Sequence, residues 1–134
     1  MKIYLDCEFN DFKGDLISIG MVCEFGSFYA SLGCEKPSKW VAEHVMPVIG
    51  AQAMPLDAVQ STMQMWLCQF DSIHIIADWP EDIAHFCNLL ITKPGYRINT
   101  PPLTMEVRRD LNSSKSKIPH NALFDAEAIM EMDK

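Results

Sequence analysis

The five cysteines of this sequence (Cys7, Cys23, Cys34, Cys68 and Cys87) include no C-x-x-C pair. An odd, widely spaced set excludes both a disulfide framework and a cysteine-rich zinc site, so they read as reduced, small apolar residues. Long apolar runs are also missing: none reaches the roughly 18 residues needed to cross a bilayer. Asp6 and Glu8 interrupt the first segment, which therefore lacks the positive-then-apolar pattern of a signal peptide. A cytoplasmic location with no membrane association is the expectation. Internal repeats and linker-like stretches are absent, and a chain of 134 residues is expected to form a single domain, 1–134.

Basic residues are scarce. Eleven Lys and Arg stand against 18 Asp and Glu, a net charge of −7, which is the wrong sign for a surface that grips phosphates. The deficit is uneven, however. Residues 93–117 hold Lys93, Arg97, Arg108, Arg109, Lys115 and Lys117 against only Glu106 and Asp110, a local balance of +4. If acids elsewhere converge on two divalent cations, four added charges bring the total from −7 to −3, so acidity alone excludes no phosphate-bearing partner.

What is present is an ordinary globular composition, 49% hydrophobic and 22% charged. Residues 2–6 and 16–23 are apolar and rich in β-branched side chains, and the turn-forming Asn10–Asp15 between them predicts a hairpin. Ser27–Leu32, after Gly26, predicts a third strand and a three-strand meander. Ser38 is a candidate N-cap for a helix to about Val45. A second helix is predicted over Pro55–Leu67, with Leu56, Val59, Met63 and Trp66 as its core-facing stripe. Ile73–Ala77 reads as a strand ending at Asp78. Pro80, Glu81 and Asp82 suit the first turn of a helix running to about Ile91, with Ile83, Phe86, Cys87 and Leu90 buried. Lys93–Pro102, with its prolines and glycine, predicts a loop, and Leu103–Val107 a strand. Asn112–Lys117 predicts a mobile polar segment, and Asn121–Met132 a closing helix. A meander followed by strands alternating with helices implies an α/β or α+β domain, a mixed sheet covered by helices.

Two groups of residues carry chemistry. Asp6 and Glu8 lie two apart at the end of a strand, so its period of two turns both carboxylates to one face. Such a pair is either a solvated strand end or an oxygen-rich site for a hard divalent ion. Near the other end, His120 precedes a helix and Asp125 follows five residues later, between Ala122, Phe124 and Ala126. Read singly, His120 is a loop histidine and Asp125 an acid favoured by the helix dipole; read together, they set an imidazole and a carboxylate near one mouth. His44, His74 and His85 show no partner spacing and read as structural or surface residues.

Asp-x-Glu (Asp6, Glu8) and His-x-Ala-x-x-Asp-Ala (His120 to Ala126) resemble the first and third motifs of the DEDDh 3′-5′ exonucleases. This family includes proofreading exonucleases, RNase T, oligoribonuclease and small phage and bacterial exoribonucleases. The resemblance covers nearly the whole chain. It implies an α/β ribonuclease H-like fold, with a mixed five-stranded sheet made of a three-strand antiparallel meander plus parallel strands and flanked by helices. It further implies a 3′-5′ exonuclease, an exoribonuclease in the first instance, that releases nucleoside 5′-monophosphates from single-stranded RNA or DNA. The family's second motif, Asn and then Asp four residues on, is matched as Asp78 and Asp82, which makes Asp82 the metal-associated acid and Asp78 its alternative.

The implied mechanism uses two Mg²⁺ or Mn²⁺ ions roughly 3.5–4 Å apart, held by Asp6, Glu8, Asp125 and Asp82 or Asp78, with His120 as general base. Phe9 is a candidate for stacking on the terminal base. Arg108, Arg109, Lys115 and Lys117 are candidates for the phosphate backbone, against the alternative of a merely solvated charged face, and the resemblance permits a homodimer that shares basic residues between sites. The rival readings are a non-catalytic nucleic-acid-binding or interaction module on the same fold, and an endonuclease or integrase of the wider group.

Overall fold

The aliphatic and β-branched residues of the first 31 positions pair as an antiparallel meander in the computed structural model, which describes residues 1–134. Its strands are β1 (Lys2–Phe9), β2 (Leu16–Cys23) and β3 (Gly26–Ser31). β4 (Ile73–Ala77) adds parallel to the free edge of β1, and β7 (Leu103–Val107) adds parallel to β4, giving the order β3-β2-β1-β4-β7. Four helices accompany this mixed sheet: α1 (Lys39–His44), α2 (Leu56–Leu67), α3 (Pro80–Leu89) and α4 (Ala122–Met132). None is long and apolar enough to cross a membrane.

Strand alternation divides the interior. Ile3, Leu5 and Cys7 of β1 join Ile19, Met21 and Cys23 of β2 against Val59, Met63 and Leu67 of α2 and Phe86 and Leu89 of α3, forming the main core. On the opposite face Tyr4 and Ile76 meet Leu111, from the segment after β7, and Ile129 of α4 in a much smaller apolar cluster. Asp6 and Glu8 share the face of Tyr4, so they open toward α4 where apolar cover runs out.

The seat of α4 depends on Gly20, which pairs with Asp6 across β1 and β2. A Cβ at position 20 would lie 2.5 Å from the carbonyl carbon and oxygen of Ala122 and 2.6 Å from the Leu123 nitrogen. The first turn of α4 therefore rests directly on bare backbone. Asn121 fixes that turn: its Oδ1 accepts from the amides of Leu123 (3.0 Å) and Phe124 (3.3 Å), and its Nδ2 donates to the carbonyls of Val48 and Ile49.

Two expectations are corrected. The stretch Lys93–Pro102 is not all loop, and Ile91 is not helical: β5 (Ile91–Lys93) and β6 (Tyr96–Arg97) form a small hairpin around Gly95, whose φ of +83° suits a residue without a Cβ. Gln60 ties it down by donating to the carbonyls of Leu89 and Ile91, and Ile98 is buried behind it. The helical stripes also shift. Leu67 rather than Leu56 completes the buried face of α2, with Leu56 exposed, and Leu89 rather than Cys87 or Leu90 completes that of α3, which ends at Leu89.

Candidate metal centre

Four elements bring five carboxylates together where parallel strands β1 and β4 end, the edge at which open α/β sheets offer a crevice for ligands. β1 contributes Asp6 and Glu8. Asp78 follows the last residue of β4, and Asp82 lies in the first turn of α3, whose start is set by Pro80. Asp125 comes from the first turn of α4. Oxygens of Asp6, Glu8 and Asp125 lie within 4.8 Å of one another, and so do those of Asp6, Asp78 and Asp82. Asp6 belongs to both triads. The sequence poses Asp78 and Asp82 as alternatives; the fold gives both access to Asp6.

Asp82 is held by the sheet itself. β4 stops at Ala77, opposite Leu5, so the Cys7 amide has no strand to pair with and donates instead to Asp82 Oδ1 at 3.0 Å. One oxygen thus completes the strand ladder while the carboxyl group remains in the cluster.

The electrostatics follow from burial and crowding. Asp6, Asp82 and Asp125 are all buried. Desolvation, followed by the charges of Asp82, Glu8, Asp125 and Asp78, pushes the Asp6 carboxyl well above its ordinary range. Burial and then Asp125 push Glu8 up to about 9. Burial raises Asp82 to about 8 against the opposing Cys7 hydrogen bond. Asp78 and Asp125 are raised chiefly by burial as well. Without a counter-charge this site resists its own ionisation.

Asp6 Oδ2 and Asp125 Oδ1 are buried with no hydrogen-bond partner. Ser116 stands close enough to lower the Asp125 carboxyl, yet its hydroxyl is also unpartnered. Buried acceptors left unpaired are costly, and an oxygen-rich cluster with orphaned atoms fits a hard cation such as Mg²⁺ or Mn²⁺. Lys side chains, the other means of neutralisation, make no salt bridge to any of the five acids.

His120 sits immediately before the Asn121 cap in a left-handed conformation, φ +71°, near enough to Asp125 to oppose in part the rise that burial imposes on that carboxyl. Its ring meets the edge of Trp40 (centroids 5.0 Å apart) and lies 6.1 Å from His44, which stacks on Trp40 at 4.7 Å. Trp40 and His44 therefore belong to the surroundings of His120, and nothing in their spacing signals it. Phe9 stacks on His85 at 4.9 Å.

The basic candidates part company. Arg108 is bound to Asp110 (2.6 Å) and Asp133 (3.0 Å), and Asp133 also accepts from the Tyr4 hydroxyl at 2.5 Å. It serves as a structural clasp between the end of β7 and the end of α4. Arg109 lies over the Trp79 ring at 4.5 Å and donates to the Asp78 carbonyl at 2.7 Å, beside the cluster. Lys115 and Lys117 line a separate cleft of about 700 Å³ along α4 with Glu127, Glu131 and Met130, in which none of the five acids takes part. No protein-family model and no curated protein matches the chain, so the acids are interpreted on their own geometry and on the motifs they form.

Proposed function

We propose that this protein is a metal-dependent 3′-5′ exonuclease on a ribonuclease H-like fold, acting on single-stranded RNA or DNA and releasing nucleoside 5′-monophosphates. The observation that carries this reading is the pair of carboxylate triads sharing Asp6, together with the orphaned oxygens of Asp6 and Asp125. The similarity of Asp6, Glu8, Asp82, His120 and Asp125 to the DEDDh pattern agrees with it, and so does the sheet order.

Glu8 and Asp125 with Asp6 would hold one divalent ion, and Asp78 and Asp82 with Asp6 a second. Held there, Mg²⁺ or Mn²⁺ would supply the means to acidify a water and to neutralise charge on the departing 3′ oxygen. The chain's own residues do the rest. Asp6 and Asp82 are fixed by strand and ladder, so the acids need little reorganisation on binding. His120, backed by Trp40, takes the proton of the attacking water at a ring nitrogen. Arg109 meets the phosphate backbone next to the scissile bond.

The test is incubation of 5′-end-labelled single-stranded RNA and DNA with Mg²⁺ or Mn²⁺. Stepwise shortening from the 3′ end and its loss in Asp6→Asn are expected. Internal cuts, no cleavage, or equal activity of Asp6→Asn would overturn the reading, and binding without cleavage would leave a recognition module.

A further inference from the structure

Two histidines from distant parts of the chain meet at the edge of the acid cluster. His44 ends α1 and His120 precedes α4, and their ring centroids stand 6.1 Å apart. The fold fixes both sides of this approach. Ser38 caps α1 by accepting from the Val41 amide at 3.2 Å, and Asn121 ties the start of α4 to the carbonyls of Val48 and Ile49, just beyond α1. Trp40 fills the angle between the two rings, stacked on His44 at 4.7 Å and edge-on to His120 at 5.0 Å. Neither histidine makes a salt bridge.

Both rings have a lone pair to offer. His44 Nδ1 lies 2.9 Å from the Trp40 carbonyl oxygen, which only accepts, so the neutral ring carries its proton on Nδ1 and its lone pair on Nε2. One ring nitrogen donating to a backbone carbonyl while the other stays bare is the arrangement that orients a metal-ligating histidine. His120 spends neither ring nitrogen on the chain, the hydrogen-bonded imidazoles being those of His44 and His74. Two imidazoles on one tetrahedral ion, with metal–nitrogen bonds of roughly 2.0–2.1 Å, have centroids about 5 Å apart. His44 is exposed, and the remaining distance of about 1 Å lies within the motion of an exposed side chain.

We infer that His44 and His120 form a site for Zn²⁺, completed by water, whose occupation stops hydrolysis. Imidazole nitrogen suits zinc, whereas Mg²⁺ prefers the carboxylate oxygens, so the two metals sort to neighbouring places. Two protein ligands leave positions open, unlike the four of a closed structural site, and Trp40 and His44 are exposed, so the ion exchanges with solvent and its occupancy follows the free zinc concentration. The consequence for activity rests on the function proposed above. A neutral imidazole has one lone pair, and once His120 gives it to zinc the ring has none with which to accept the proton of the attacking water. His44 thus acts as a partner that lets zinc capture His120, without touching the acids.

The test is calorimetric titration with Zn²⁺ in excess Mg²⁺, which fills the acids. His44→Gln, which keeps a donor for the Trp40 carbonyl, and His120→Gln should each weaken Zn²⁺ binding by at least about tenfold, since even the loss of a group behind a ligand costs roughly 10- to 100-fold. Asp6→Asn should bind Zn²⁺ as the parent does. Parent protein that binds no Zn²⁺, undiminished binding in either Gln variant, or loss of binding in Asp6→Asn would overturn the site. In the labelled-strand assay, Zn²⁺ added over Mg²⁺ should slow the parent, and slowing His44→Gln to the same extent should take at least about ten times as much. Equal sensitivity of the two would overturn the regulation. The titration does not depend on hydrolysis: histidine-dependent Zn²⁺ binding by a protein that cuts no strand would support the site and overturn the nuclease.

Discussion

Replacing Gly20 with alanine tests how the acids are assembled. Residue 20 lies in β2 without a left-handed backbone, so alanine meets no conformational penalty there, and strand propensity alone would make Gly20→Ala stabilising by about 0.5–1 kcal/mol. The structure predicts the opposite sign. The new Cβ would stand 2.5 Å from the Ala122 carbonyl group, against the 3.4 Å at which ordinary contact begins, and the obstacle is helix backbone that cannot rotate away. The first turn of α4 has to retreat by roughly 1 Å, an overpacking typically worth about 1–3 kcal/mol. For a chain of this size that corresponds to a fall in Tm of roughly 4–12 °C. Asp125 travels with the turn while Asp6, opposite residue 20, stays in the sheet. A displacement of this size costs on the order of 100-fold in rate where groups must align. Differential scanning fluorimetry with and without Mg²⁺, together with the labelled-strand assay, reads both effects. The expected result is a lower Tm, a reduced gain on adding Mg²⁺, and slowed shortening. A Gly20→Ala protein as stable as the parent and equally responsive to Mg²⁺ would refute the account of how α4 is seated and of what that seat does for the cluster.

Two further predictions concern charge. Carboxyls raised in the folded protein contribute stability that is complete below their unfolded pKa, near 4, and is lost as pH rises through the folded values of about 8 for Asp82 and about 9 for Glu8. The Tm of the ion-free protein should therefore fall between about pH 5 and pH 9. Mg²⁺ at about 100 times its Kd should restore roughly 2.7 kcal/mol, or on the order of 10 °C, with the larger gain at higher pH; a pH-independent Tm unaffected by Mg²⁺ would contradict the cluster's charge balance. Arg108→Ala should lower Tm by opening the Tyr4–Asp133–Arg108 clasp and leave oligonucleotide affinity unchanged. Arg109→Ala should weaken affinity and reduce the slope of log K against log salt by about 0.7–0.9; the reverse pattern in a salt titration would show that the two arginines have been assigned the wrong roles.

Much of this arrangement is legible from local pattern. The shared face of Asp6 and Glu8 follows from strand periodicity, and β4, α3 and α4 start where their breakers and caps place them. Local pattern fails where contacts are long-range or elements are very short. The β5–β6 hairpin has strands of three and two residues, all exposed, and it is held by Gln60 from α2, about 30 residues upstream. Trp40 and His44 reach His120 only through tertiary packing. Asp78 and Asp82 look like competitors when counted along the chain, because spacing does not say that a strand end and a helix start converge on one carboxylate. The basic stretch 93–117 reads as one patch, yet folding sends Arg108 to a clasp, Arg109 to the rim of the acids and Lys115 and Lys117 to another cleft.

The backbone at residue 120 has a consequence for what sequence change the protein can tolerate. A left-handed residue just ahead of a helix cap is a place where glycine or asparagine would sit with less strain, by about 1–2 kcal/mol, than an imidazole-bearing one. Substitutions that relax this turn are thus available by single steps and would yield a sturdier protein, one whose helix, cap and acids remain in place. An imidazole kept there is kept against the grain of folding, so thermal robustness and the proton transfer proposed for His120 pull the same position in opposite directions.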